Sequence, residues 1–99
     1  MLCQMKIVAL LLLVVEDYLM KLNIQSAIDG SVPSETVVTV LTASGGNEEV
    51  VVHRDQVTNN RMEVGFIGKQ DKRVLVELPR ETVKGRWRIW VPESEIAPA

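Results

Sequence analysis

A chain of 99 residues has room for one domain with a modest core. Its single cysteine, Cys3, excludes a disulfide framework and a cysteine-rich zinc site. Its net charge of −2 hides an uneven distribution, because residues 54–88 carry nine Lys or Arg against five Asp or Glu. The cysteine content fits a reducing compartment, so we expect a cytoplasmic protein.

The composition changes sharply at Met20. Of residues 1–19, fifteen are apolar, whereas residues 20–99 contain 31 apolar residues among 80. In this second part apolar and polar residues alternate, which is typical of half-buried strands. The sequence therefore predicts an apolar N-terminal segment, residues 1–19, followed by a small β domain, residues 20–99.

The N-terminal segment contains an unbroken apolar run from Ile7 to Val15. As a helix this run would span about 14 Å, whereas a bilayer needs about 20 apolar residues, so we expect no membrane span. Three interpretations stay open. The run is the centre of a secretory signal peptide, although no small-residue cleavage pair follows Val15. It is a buried strand or helix of the same fold. Or it lies upstream of a natural start at Met20.

Three strands are predicted in the first half of the β domain. Polar and apolar residues alternate over residues 21–25, and residues 29–34 have the composition of a loop. Residues 35–43 are dense in Val and Thr, whose branched Cβ atoms suit a pleated surface. The turn residues 44–47 then predict a hairpin that returns through a strand over residues 48–57.

Three further strands are predicted in the second half. They cover residues 61–67, 73–78 and 85–91, each with alternating apolar side chains. The pair Asn59-Asn60 precedes the first of them and tolerates the left-handed backbone of a tight turn. Pro92 ends the last, because proline has no backbone donor. The predicted core faces are formed by Met62, Val64, Phe66, Val74, Val76, Leu78, Trp87, Ile89 and Val91.

Strands joined by such short turns must close or curl to protect their edges. We therefore predict an all-β fold, a small antiparallel meander that closes into an SH3-like barrel of five or six strands. The name describes a shape and implies no function, because small barrels have many roles.

No group of residues in the sequence points to catalysis. His53 is the only histidine, and alternation directs it away from the predicted core face. Asp55 shares its strand face, but no orienting third group can be identified. One histidine, one cysteine and scattered carboxylates lack the spacing of metal ligands. We therefore predict a protein that is not an enzyme, with no catalytic residue, metal or cofactor.

The last predicted strand carries basic and aromatic side chains on one face. Alternation puts Arg86, Arg88 and Trp90 opposite the predicted core, where an arginine over the indole ring contributes about 0.5–1 kcal/mol. Lys84 and Arg80 precede them and extend the patch. Because Arg and Trp dominate binding hot spots, these five residues are the predicted binding residues. The alternative is a solvated face whose Trp90 is half covered by the chain terminus or by residues 1–19.

Two functions fit this face. The first is a protein-interaction adaptor or a small subunit of an assembly, which binds a protein partner or a second copy of the chain. The second is a nucleic-acid-binding barrel in which bases stack on Trp90. The first function is favoured, because the whole chain has only four aromatic residues on which bases could stack. The phosphate contacts predicted for the second are Arg54, Arg61, Lys72, Arg73, Lys84, Arg86 and Arg88.

Overall fold

The computed structural model describes residues 19–98, which form an all-β structure with antiparallel pairing throughout. Within that range no helix is long and apolar enough to cross a membrane. Two 3-10 turns, Arg54–Gln56 and Glu93–Glu95, interrupt the strands. The strands are β1 (Leu19–Asn23), β2 (Ser26–Asp29), β3 (Glu35–Leu41), β4 (Asn47–His53), β5 (Val57–Thr58), β6 (Arg61–Gln70), β7 (Arg73–Glu77), β8 (Arg88–Pro92) and β9 (Ile96–Pro98).

The strands pair as two sheets. The larger has the order β8-β7-β6-β1-β9, with β5 also paired to β6, and the smaller has the order β2-β3-β4. The predicted all-β antiparallel fold is thereby confirmed. Three strands were missed, because β2, β5 and β9 contain only four, two and three residues, too few to show an alternating pattern.

The apolar segment and its boundary remain predictions. Its three interpretations concern residues 1–18, which lie outside the described part of the chain. Leu19 is the first described residue and belongs to β1.

The predicted hairpin turns are confirmed by the backbone. Gly45 has a φ of +93°, and its N–H donates to Thr42 O at 3.0 Å, closing the β3–β4 turn. Asn59 and Asn60 have φ values of 54° and 59° and join β5 to β6. Two successive positive φ values match the twist of a tight hairpin, and asparagine adopts them more readily than most residues.

One hydrophobic core lies between the two sheets. The predicted faces of β6 and β7 are confirmed, except that Phe66 is only half-buried and packs against the core from its margin. A register shift between Phe66 and Gly68 lets β6 continue to Gln70, three residues beyond the predicted end. The buried core residues are Leu22, Val38, Val40, Val50, Val52, Met62, Val64, Val74, Val76, Leu78, Ile89 and Val91.

Residues 78–87 form a loop between β7 and β8, here called the β7–β8 loop. Gly85 has a φ of +84°, and its N–H donates to Thr82 O at 2.8 Å to form a tight turn. Thr82 is buried and forms an isolated antiparallel β-bridge with Val50. The N–H of the next residue, Val83, donates to Glu49 O at 2.8 Å. The β7–β8 loop is therefore fixed along the outer edge of β4.

Candidate functional site

Most of the predicted binding residues line one cleft of about 370 Å³ between β8, the β7–β8 loop and the β3–β4 turn. Lys84 and Arg86 of the β7–β8 loop meet Arg88 and Trp90 of β8 there. Sequence analysis assigned Arg73 to phosphate contacts but not to this patch. We call this site the basic cleft and define it by Glu48, Arg73, Lys84, Arg86, Arg88 and Trp90.

The outer edge of β8 faces the β3–β4 turn. Ala43 N–H of that turn donates to Trp90 O at 2.8 Å. The Trp90 carbonyl therefore points away from β7, which makes Trp90 part of a non-hydrogen-bonded pair with its β7 partner. In an antiparallel ladder the side chains of such a pair come closest. Trp90 and Arg88 therefore stand close to their β7 partners, Leu75 and Glu77. The ladder thus sets both cleft residues on one face.

Arg73 covers one face of the Trp90 ring. Its guanidinium carbon lies 5.1 Å from the ring centroid, and its Nη2 donates to Gln70 Oε1 at 3.0 Å. Arg73 is opposite Pro92 in the register, so it is a diagonal neighbour of Trp90 on the same face. The sequence predicted this stacked cation to be Arg86 or Arg88. The structure corrects that assignment, because the diagonal contact comes from the strand beside β8.

Glu48 is a buried acid in the cleft. It is 6% exposed and follows the same strand parity as Val50 and Val52, whose side chains form the core. Its Oε2 lies 3.4 Å from Arg86 Nε, and its Oε1 has no hydrogen-bond partner among the described residues. Since a buried carboxylate is costly without a counter-charge, Arg86 acts as the cationic partner of Glu48.

Arg88 and Arg80 are paired differently. Arg88 Nε donates to Glu77 Oε1 at 3.2 Å, a direct cross-strand pair between β8 and β7. Arg80 does not line the cleft, and its Nη1 donates instead to Glu35 Oε2 at 3.4 Å. The predicted extension of the patch therefore includes Lys84 and leaves Arg80 outside. The proposals below therefore leave Arg80, which the sequence predicts as a binding residue, out of the binding site.

Trp87 is not the core residue that the sequence predicts. It is 51% exposed, and its Nε1 donates to Glu81 Oε1 at 2.9 Å. The physical reason is the turn at Gly85, which keeps Trp87 in the loop and delays the start of β8 to Arg88. Ile89 and Val91, which do belong to β8, are buried as predicted.

The exposure of Trp87 leads to a prediction. Trp87→Ala removes one exposed hydrogen bond and only about half of the buried surface that a core tryptophan would lose, so we expect it to lower the free energy of unfolding by about 1–2 kcal/mol. Urea unfolding of the purified variant, followed by circular dichroism, measures this. A loss of 3 kcal/mol or more, of about the size expected for a core tryptophan, would contradict the exposed position.

His53 and Asp55 form no enclosed site. His53 Nδ1 accepts the Asp55 N–H at 3.2 Å, which caps the 3-10 turn, and both side chains are exposed. Among the described residues no group of three His, Cys, Asp or Glu side chains is arranged to hold a metal ion. No protein-family model, curated protein or solved structure matches this chain, so its function must be argued from the basic cleft.

Proposed function

We propose that the protein is a cytoplasmic, non-enzymatic binding module whose basic cleft binds an acidic segment of a protein partner or of a second copy. In this proposal it acts as an adaptor or a small subunit of an assembly. One observation carries it: four cationic side chains from two parts of the chain line a single cleft beside a tryptophan. Arg and Trp are the residue types most enriched among binding hot spots.

The charge of the cleft supports an acidic partner. Arg73, Lys84, Arg86 and Arg88 face Glu48 within it, while the chain as a whole has a net charge of −2. A local positive surface on an acidic protein orients a negatively charged partner and speeds its association. The half-buried Trp90 lines the same cleft and adds apolar area to it.

The same contacts disfavour the nucleic-acid alternative. A base stacks on a free ring face, and Arg73 already covers one of the two faces of Trp90. One cation predicted to contact phosphate is occupied elsewhere, because Arg54 donates through Nε to Pro33 O and pairs through Nη2 with Asp29. We therefore place a protein partner first.

The fold proposed for this module is a small SH3-like barrel. Two contacts at the corners between the sheets support it. Ile24 N–H donates to Asn60 O while the next residue, Gln25, donates to Thr39 O, so one segment bonds to both sheets. At another corner the Ala43–Trp90 backbone bond joins the β3–β4 turn to β8. Both sheets also bury their apolar faces in one core.

A hexaglutamate peptide tests the proposed function by isothermal titration calorimetry. We expect Arg88→Ala to weaken its binding about tenfold, because charge-assisted hydrogen bonds to the peptide are lost. The matched control is Arg80→Ala, which removes an exposed arginine outside the cleft and should change the affinity less than about twofold. Equal losses in both variants, or no binding by the native protein, would contradict docking at the cleft.

An oligothymidine in the same assay tests the alternative. Phosphate contacts make affinity fall steeply between about 50 and 200 mM salt. We expect the oligothymidine to bind more weakly than hexaglutamate at the higher salt concentration. Tighter binding of the oligothymidine, lost on Arg88→Ala, would replace the proposed protein partner by a nucleic acid.

A further inference from the structure

We propose that the basic cleft recognises a phosphorylated side chain of its protein partner, through the terminal guanidinium nitrogens of Arg86 and Arg88. This inference rests on the proposed function and names the chemistry of the partner. It follows from how the two arginines are held, from the charge balance of the cleft, and from its size.

Each of the two arginines contacts an acidic side chain through its inner nitrogen, Nε. Arg86 Nε lies 3.4 Å from Glu48 Oε2, and Arg88 Nε donates to Glu77 Oε1 at 3.2 Å. Within residues 19–98 the terminal nitrogens of these two side chains form no hydrogen bond. Glu77 therefore holds Arg88 by a hydrogen bond at the inner nitrogen, Glu48 forms an ion pair with Arg86 through the same nitrogen, and the outer nitrogens of both side chains are left for a ligand.

A guanidinium presented in this way suits an oxyanion. Two terminal N–H groups form parallel hydrogen bonds to two oxygens of a phosphate or carboxylate. Two arginines offer two such pairs, and each oxygen of a single carboxylate would have to accept two hydrogen bonds to satisfy them. A phosphomonoester has three strong acceptor oxygens and satisfies more of these donors.

The charge balance also fits a dianion. Four positive side chains and the two carboxylates paired with them, Glu48 and Glu77, leave a balance of +2. A phosphorylated side chain carries about −1.5 to −2 charges at pH 7, against −1 for Asp or Glu. Lys84 lines the same cleft as a compact third cation.

The size of the cleft favours a single group over a polymer. At about 370 Å³ it is at the lower end of the range of small-molecule sites. Residues of the β3–β4 turn, the β7–β8 loop and β8 all line it, and the Ala43–Trp90 backbone bond joins that turn to β8. A phosphate on one side chain of the partner can enter such a cleft while the flanking residues of the partner stay outside it.

Three short peptides test the inference by calorimetry at constant salt. They share a glycine-rich sequence and differ at one position, which is phosphoserine, glutamate or serine. We expect the phosphoserine peptide to bind about tenfold tighter than the glutamate peptide, and the serine peptide to show no binding. Arg86→Lys and Arg88→Lys keep the charge but lose the paired nitrogens, so each should abolish most of the phosphoserine preference. Arg80→Lys, outside the cleft, should keep it.

The outcomes separate this inference from the proposed function. If hexaglutamate binds and requires Arg88, but the phosphoserine and glutamate peptides bind equally, the phosphate inference is wrong and the acidic-partner proposal stands. If the preference survives both lysine variants, the paired nitrogens do not cause it and the inference is again wrong. If neither hexaglutamate nor phosphoserine binds, both proposals fail. If the Arg88→Lys variant still binds the glutamate peptide, the variant is folded.

Discussion

Replacing Leu22 by alanine is expected to lower the free energy of unfolding by about 2–5 kcal/mol. Leu22 is fully buried in β1, which lies between β6 and β9 in the larger sheet. Its register partners are Met62 on one side and Ile96 on the other. A truncated side chain at this position leaves a cavity that two neighbouring strands enclose, so the loss combines lost apolar burial with an unfilled space.

The loss at Leu22 is large for a chain of this size. Small domains unfold with about 5–15 kcal/mol, so the variant gives up a substantial share of the total. Urea unfolding followed by tryptophan fluorescence measures the change. The matched control is Ile28→Ala on β2, an aliphatic residue that is 61% exposed and should change the stability by about 0.5 kcal/mol or less. Similar losses in both variants would show that β1 does not hold the core together.

Local patterns in the sequence predicted much of the fold. The hairpin turns depend on Gly45 and on Asn59-Asn60, whose backbone preferences act within a few residues. The alternating faces of β6 and β7 depend only on continuous strands. Trp87 was misplaced because this condition fails just before β8. Gly85 forms a turn there, and counting residues across a turn does not keep the parity of a strand.

The contacts that complete the basic cleft lie beyond local patterns. Arg73 and Trp90 are far apart in sequence, and only the β7–β8 register makes them diagonal neighbours. Their contact could be predicted only after the strand pairing is known. Glu48 left a clearer signal, because it shares the parity of Val50 and Val52 within the predicted strand. An acid on an apolar face indicates a buried charge that needs a partner.

Strand alternation predicts that Arg86 and Arg88 contribute equally to stability, but the buried position of Glu48 makes their expected contributions differ. From the sequence, Arg86 and Arg88 share one solvated face, and replacing either by alanine should leave the melting temperature nearly unchanged. In the structure Arg86 is the cation nearest to a carboxylate that is 6% exposed, whereas Glu77, the partner of Arg88, is only half-buried. The two substitutions should therefore differ in stability.

Arg86→Ala is expected to lower the free energy of unfolding by about 1–3 kcal/mol, because Glu48 stays buried without its counter-charge. The loss stays below the roughly 3–5 kcal/mol of a fully buried pair, since the Arg86 side chain is 62% exposed and solvent screens part of the interaction. Arg88→Ala should cost less than about 1 kcal/mol, as exposed pairs do. Thermal and urea unfolding of the two variants gives the comparison.

A second substitution identifies the cause of the difference. Glu48→Gln removes the buried charge and keeps the shape of the side chain, so in the Arg86→Ala background it should recover most of the lost stability. In the native background the same change should have a small effect, because it removes an ion pair together with the cost of burying one of its charges. If Arg86→Ala and Arg88→Ala destabilise equally, or if Glu48→Gln recovers nothing, Arg86 does not neutralise Glu48. If the recovery occurs, Arg86 is the counter-charge of the buried acid in the cleft, and its contribution to stability comes from neutralising Glu48.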